Sequence, residues 1–315
     1  MPGRSPVHRF AHEAMATVFE LFVAGKDAAY AGQAARAAFD EIERIERLFS
    51  RFDPASEVSR LGRLRPGESL RVGIETAQAL GLAAHVQAET GGAFDVNHLA
   101  SARRAGRRRA AGPPSLGRTV RVGWTGAGYE VERVRGSRGR ATPGLDLDFG
   151  ALGKGFALDC ALAVLLDWSA DDVLLHAGTS TALGHGPGPG GRKGAPGWPV
   201  GAGSAGGATS GPGRLLLRNG ALSGSGPEVK GEHVVDPRTG RPAGGHLAAW
   251  ASHASAAAAD ALSTAFLVMG TGEVAAFCAR HPEVWALVKT GPETCRIFNA
   301  GAAAADGPAG TRRRR

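Results

Sequence analysis

LDLDFGALGKGFALD, residues 145–159, decides the fold class. Leu145, Leu147 and Phe149 alternate with Asp146 and Asp148, the period of a strand with one buried face. That strand runs into Gly150. A helix then begins at Gly153–Lys154–Gly155 and carries Ala157, Cys160 or Ala161, Val164 and Trp168 on one side. Strand, glycine turn and helix in this order invite comparison with a parallel dinucleotide-binding sheet. Two features argue against it. No Gly-Lys-Ser/Thr occurs, so this is not a Walker loop, and the glycines are not spaced GxGxxG within a βαβ unit. Free N–H groups at a helix start beside a lysine still favour an anion, above all a phosphate. The alternative is a tight turn where glycine merely fits.

On the N-terminal side, residues 15–23 alternate as a strand, with Phe19, Leu21 and Val23 on one face. From Asp27 to Phe49, Ala35, Ala38, Ile42, Ile45 and Phe49 recur at helical spacing with charges between them, which predicts an amphipathic helix. Phe52–Leu61 reads as a turn-rich connector. A helix from about Ile74 to Thr90 stops at Gly91–Gly92. A hairpin follows at Thr119–Gly123 and Tyr129–Val134.

On the C-terminal side, Val173–His176 reads as a short buried strand. Residues 184–213 are so rich in Gly and Pro that they predict a flexible loop. Strands are expected at Leu215–Leu217, His233–Val235 and Val284–Val288, and helices at Ser255–Met269 and Glu273–Arg280. Helices and strands alternate without a βαβ rhythm, so the fold class is α+β, mixed sheets with packed helices. The expected organisation is an N-terminal extension over 1–14, one domain over 15–290 with loop insertions near 100–118 and 184–213, and a disordered basic tail over 300–315.

Composition narrows the function classes. Hydrophobic residues make up 43% of 315, enough for a full-sized core, and 48 Gly with 18 Pro show no three-residue period, which excludes collagen. The net charge of +8 comes largely from Arg103, Arg104 and Arg107 to Arg109, and from Arg312 to Arg315. No aromatic residues interleave with these clusters, so solvated segments are expected rather than a nucleic-acid surface. No apolar run reaches the roughly 18–20 residues of a transmembrane segment, and no leader pattern opens the sequence. Cys160, Cys278 and Cys295 lie far apart with no CxxC pair, which points to a reducing, cytoplasmic setting without a disulfide framework.

Three further stretches carry chemistry. Asp260 and Thr264 lie four apart on an alanine-rich helix, so they share one face. A carboxylate there needs a partner, and a carboxylate with a hydroxyl is a hard oxygen pair suited to Mg²⁺. A cap or solvent-facing pair is the alternative. His233 precedes a strand and the turn Asp236-Pro237-Arg238-Thr239-Gly240; a lone histidine is more often structural, and this one gains weight only from the aspartate and arginine of that turn. Leu222-Ser223-Gly224-Ser225-Gly226 reads as a flexible, hydroxyl-rich turn able to approach a phosphate. Neither a GxSxG elbow nor HExxH occurs. A phosphate turn, a Mg²⁺ pair and a histidine together fit chemistry on a pyrophosphate.

In this order the motifs resemble the ApbE family, the FAD:protein FMN transferases, from about Met15 to Val288. Met15-Ala16-Thr17 is similar to the family's opening Met-Gly-Thr, and FDPASEVSRL (52–61) to the segment after its first helix. GGAFDV (91–96), DFGALGKGFALD (148–159), HVVDPRTGRP (233–242) and ADALSTAFLVMG (259–270) follow in family order. The resemblance implies a two-lobed, T-fold-like architecture with the flavin between the lobes. It implies Mg²⁺-dependent transfer of FMN from FAD to a Thr or Ser hydroxyl of an acceptor flavoprotein, with release of AMP. By the same resemblance Asp260, Thr264 and a backbone carbonyl near Gly153 would hold the metal, and His233 would be the base. Lys154 and Asp159 would line the flavin site, and Met15 and Ser56 would touch the nucleotide, with Ser223 and Gly224 grouped with them. Departures are Ala16 for glycine, Gly62 for asparagine, Asn97-His98-Leu99 for Thr-Val-Gly-Pro-Leu, and Ala177-Gly178-Thr179 for Gly-Gly-Asp. They leave open an FAD pyrophosphatase or a non-catalytic flavin binder; intact Asp260, Thr264 and His233 favour transfer.

Overall fold

The computed structural model describes residues 6–100, 116–136, 144–189, 197–202, 213–226 and 234–302. The strands are β1 (Val7–Ala14), β2 (Thr17–Ala24), β3 (Ser69–Val72), β4 (Val120–Trp124), β5 (Tyr129–Arg133), β6 (Val173–Ala177), β7 (Thr181–His185), β8 (Trp198–Ala202), β9 (Gly213–Leu217), β10 (Gly220–Ser225), β11 (Val235–Asp236), β12 (Arg241–Pro242), β13 (Ala248–His253), β14 (Trp285–Lys289) and β15 (Cys295–Phe298). The helices are α1 (Ala28–Phe49), α2 (Glu57–Gly62), α3 (Ile74–Glu89), the single turn α4 (Leu116–Thr119), α5 (Gly153–Asp167), α6 (Ala256–Val268) and α7 (Thr271–Arg280).

An eight-stranded antiparallel sheet, ordered β1-β2-β6-β7-β10-β13-β14-β15, forms the frame. Successive side chains of a strand point to opposite faces, and the two faces bury two separate cores. Phe19, Leu21 and Val23 of β2, opposite Ala177, Leu175 and Val173 of β6, face the helices. Leu174, Leu222, Trp285 and Leu287 face the other way, onto the β8–β9 hairpin with Trp198 and Leu215. On the helical side α1 meets α5 through Phe49, whose ring lies 5.0 Å from that of Phe149 and 5.2 Å from that of Phe156. β3, β5 and β4 make a small separate sheet.

The periodic helices stand where the sequence places them. Asp27 caps α1 by accepting from Tyr30 N at 2.9 Å, and Ala35, Ala38, Ile42, Ile45 and Phe49 are buried as expected. α3 ends at Thr90, followed by Gly91 and Gly92, both with positive φ.

Several readings change. Residues 7–14 form β1, which joins β2 through a tight turn at Met15 and Ala16, with φ +50° and +56°. Leu145, Leu147 and Phe149 are buried in alternation, yet the segment is not a strand. Residues 96 and 97 hold it instead: the buried Asn97 accepts from Asp146 N (2.7 Å) and donates to Gly144 O (3.0 Å), and Asp148 N donates to Val96 O at 2.8 Å. The asparagine that departs from the family pattern thus holds this segment. The buried side of α5 is Ala157, Leu158, Ala161 and Leu165; Val164 and Trp168 lie at its margin. Leu222–Gly226 is no flexible turn, because Gly220–Ser225 is the central strand β10. Strand β8 lies inside the Gly/Pro-rich stretch expected to be loop. Residue 233, the reading of 100–118 as a loop insertion apart from 100 and 116–118, and the tail from 303 lie outside the described residues.

Candidate functional site

Two clefts meet at the Asp148–Gly150 segment. The first runs between the β1–β2 turn and the end of α1; Met15, Glu46, Phe52, Gly153 and Lys154 line it. The second lies between Ala93–Val96 and the start of β11, with Ala151, Val234, Pro237, Thr264 and Val268 in its walls. Asp148 and Gly150 line both.

Met15 N donates to Glu46 Oε1 at 2.8 Å, which fixes the turn over the first cleft. Lys154 Nζ donates to Gly150 O at 3.2 Å, and Asp148 Oδ1 accepts from Gly150 N at 2.8 Å. Arg51 Nη1 stands 3.7 Å from Asp148 Oδ2, and its guanidinium lies over the ring of Phe52, 4.7 Å from the centroid. Phe52 is 82% exposed, an apolar ring held at the cleft by a cation–π contact rather than by burial. Nothing in the residue pattern of 52–61 singled it out, because an exposed aromatic in a connector has no periodic signature.

Asp260 is fully buried on α6. Its Oδ2 accepts from Gly155 N and its Oδ1 from Ser223 Oγ, both at 3.4 Å. Thr264 Oγ1 donates to Asp260 O at 3.2 Å and lies 3.2 Å from Ser225 Oγ. Ser223 is buried on β10, 2.9 Å from Thr181 Oγ1, and supports Asp260 instead of facing a cleft. Gly224 makes room for the Trp250 indole, which a Cβ would meet at 2.6 Å.

The donor set fits a hard cation. Asp260 offers a carboxylate, and its bonds from Gly155 N and Ser223 Oγ are both long at 3.4 Å; Thr264 adds a hydroxyl in the cleft wall, and oxygen donors of this kind suit Mg²⁺. Among the described residues no group of three or more His, Cys, Asp or Glu is placed to hold a metal. Gly153 opens α5, where a carbonyl accepts from the residue four on. In the turn before it Phe149, Gly150 and Leu152 carbonyls each take a donor, while Ala151 lines the cleft beside Thr264.

Asp159 and Ser56 stand elsewhere. Asp159 accepts from Ser255 Oγ, Ala256 N and Ala257 N at the start of α6. Ser56 is buried as the N-cap of α2, accepting from Ser59 N at 3.0 Å. His233 lies outside the described residues; the next residue, Val234, lines the second cleft. Asp95, in the GGAFDV stretch but given no role from sequence, also lines that cleft. Its Oδ1 accepts from Asn97 N at 2.8 Å, its buried Oδ2 has no hydrogen-bond partner among the described residues, and burial pushes its pKa up to about 6.

Six separate sequence motifs therefore contribute residues to one pair of clefts. A profile of the ApbE family matches residues 15–288. The chain belongs to the ApbE family. Solved ApbE structures share the fold: the flavinyl transferase ApbE of Pseudomonas stutzeri (18% identity, 94% of this chain and 96% of that one, TM-score 0.72) and the flavin transferase ApbE of Vibrio cholerae (17%, 95% and 99%, 0.72). The ApbE protein of Thermotoga maritima aligns likewise (22%, 93% and 97%, 0.74). Comparison with curated proteins gave no match. In this ApbE chain, residues 15, 16, 52, 93–96, 148–151, 153, 154, 234, 235, 237, 264 and 268 supply cleft walls, and they lie in the stretches whose motifs resemble the family.

Proposed function

We propose that this chain is a flavin transferase that moves FMN from FAD to a Thr or Ser hydroxyl of an acceptor flavoprotein. The observation that carries the reading is the meeting of the two clefts at Asp148–Gly150, with Lys154 on one side and Thr264 on the other. A dinucleotide spanning both would present its pyrophosphate at the junction, beside the α5 helix start.

The acceptor oxygen attacks the FMN-side phosphorus. A new P–O bond forms, the bridging P–O bond breaks, and AMP leaves with the bridging oxygen. His233 takes the acceptor proton; its chain neighbour Val234 lies in the wall that also holds Thr264. Lys154 sets positive charge beside the junction. Asp260 and Thr264, with a carbonyl from Gly153 or from the turn before it, would hold Mg²⁺. When bound, the ion supplies charge stabilisation for the pyrophosphate oxygens. Met15 and the exposed Phe52 ring offer apolar contact to a planar group in the first cleft.

His233→Ala tests the base. Loss of a positioned base costs roughly 10²–10⁴-fold in turnover, so AMP release in the presence of acceptor falls by that factor while FAD affinity stays near wild type. Wild-type turnover in the variant would remove His233 from the mechanism.

A further inference from the structure

α6 carries Asp260 and Thr264, and its start is held from α5. A helix start leaves its first N–H groups without partners inside the helix. Here Ala256 N donates to Asp159 Oδ1 at 2.8 Å, and Ala257 N to Asp159 Oδ2 at 3.0 Å. Ser255 Oγ donates to the same Oδ2 at 2.7 Å and accepts from Ala258 N at 3.2 Å. One carboxylate from another helix, with one serine, thus satisfies three N–H groups, and its charge suits a helix N-terminus.

Gly155 lies four residues before Asp159, on the same face of α5. A Cβ there would stand 2.2 Å from Ala256 O, so the two helices touch backbone to backbone. Gly155 N also donates to Asp260 Oδ2. The residue before it, Lys154, lines the first cleft.

We infer that Asp159 is a positioning residue: it clamps α6 to α5, so that the glycine turn and the Asp260–Thr264 oxygens are set as one unit. The geometry stands by itself; its consequence for a divalent cation rests on the flavin-transfer reading. Asp159 then acts on cation binding through α6, not by touching the flavin.

The test uses the full chain with Asp159→Ala, the milder Asp159→Asn, and Asp27→Ala as a cap loss on α1. FAD affinity without Mg²⁺ is read by flavin fluorescence, and Mg²⁺ is titrated against the melting temperature of the FAD-bound protein. Asp159→Ala should raise the half-saturating Mg²⁺ concentration about tenfold, as loss of a ligand's support does, with FAD affinity within about twofold. Asp159→Asn, which keeps one acceptor oxygen, should recover most of the Mg²⁺ response, and Asp27→Ala should leave it unchanged. FAD affinity falling as far as Mg²⁺ affinity would make Asp159 a flavin contact and overturn the inference. So would a lower melting temperature with an unchanged Mg²⁺ titration, the mark of a purely structural residue.

A wild-type protein whose FAD complex ignores Mg²⁺ would count against the flavin-transfer reading itself. The apoprotein then decides the clamp. Combining Asp159→Ala with Asp260→Asn should change the melting temperature by an amount about 2 °C or more away from the sum of the single effects, because linked residues are not additive. Strict additivity would overturn the clamp.

Discussion

Gly155→Ala tests the helix contact on which the site is built. In a helix interior alanine is better than glycine by about 1 kcal/mol, so an uncrowded Gly155 would gain stability on substitution. The structure reverses the sign. The added Cβ would meet Ala256 O at 2.2 Å, Ala256 C at 2.5 Å and Ala257 N at 2.7 Å. All three are backbone atoms, so no rotamer change relieves them; α5 and α6 must separate by about 1 Å to reach ordinary contact. Overpacking of this kind costs about 1–3 kcal/mol. Separation also stretches the Asp159 bonds to Ser255, Ala256 and Ala257, now 2.7–3.0 Å. Each such bond to a charged group contributes about 1.5 kcal/mol or more. Net destabilisation of about 2–4 kcal/mol is expected, measured by urea denaturation. A Gly155→Ala protein as stable as wild type, or about 1 kcal/mol more stable, would refute the close approach of α5 and α6.

Burial raises the Asp95 pKa to about 6 from 3.8, so the folded protein holds this proton more tightly than the unfolded chain. Its stabilising contribution is full below about pH 4, falls as pH rises and is gone above about pH 6, a loss of roughly 2–3 kcal/mol; Asp95→Asn should flatten that slope in urea melts at pH 4.5 and 7, and an unchanged slope would remove Asp95 as its source. Ala16 sits at φ +56°, where a non-glycine residue costs about 1 kcal/mol; Ala16→Gly should raise stability by about 0.5 kcal/mol after the unfolded-state entropy of glycine is offset, and a loss would show the turn to be unstrained. Asp260→Asn should abolish the Mg²⁺-dependent melt shift of the FAD complex while the apoprotein keeps its stability; a retained shift would make Asp260 structural.

Helix α1 was legible because its apolar positions Ala35, Ala38, Ile42, Ile45 and Phe49 recur at helical spacing over a long run, whereas the short α2 (Glu57–Gly62) lies in the stretch read as a turn-rich connector. The central strands were not. β7 (TALGH) and β10 (GALSGS) are built largely from small residues, and Gly224 of β10 leaves room for the Trp250 indole of the neighbouring β13. Such strands lack the β-branched and aromatic signature. Residues 145–149 misled in the other direction: alternation records burial on one side, and burial there comes without a ladder. Within the site, spacing alone paired Asp260 with Thr264, since four residues on a helix fix a shared face. The task of Asp159 could not be read this way, because its partners lie 96 to 98 residues downstream. Asp95 was hidden for a similar reason: that its Oδ2 has no partner among the described residues is a property of the folded surroundings, not of the GGAFDV stretch.

The central claim is transfer of an FMN group to a protein. Its most direct measurement is intact mass of candidate acceptor flavoproteins after incubation with the chain, FAD and Mg²⁺, with nucleotides followed in the same samples. The account predicts an acceptor heavier by one FMN and an equal amount of AMP. Free FMN and AMP with no labelled acceptor, or FAD recovered intact, would contradict it.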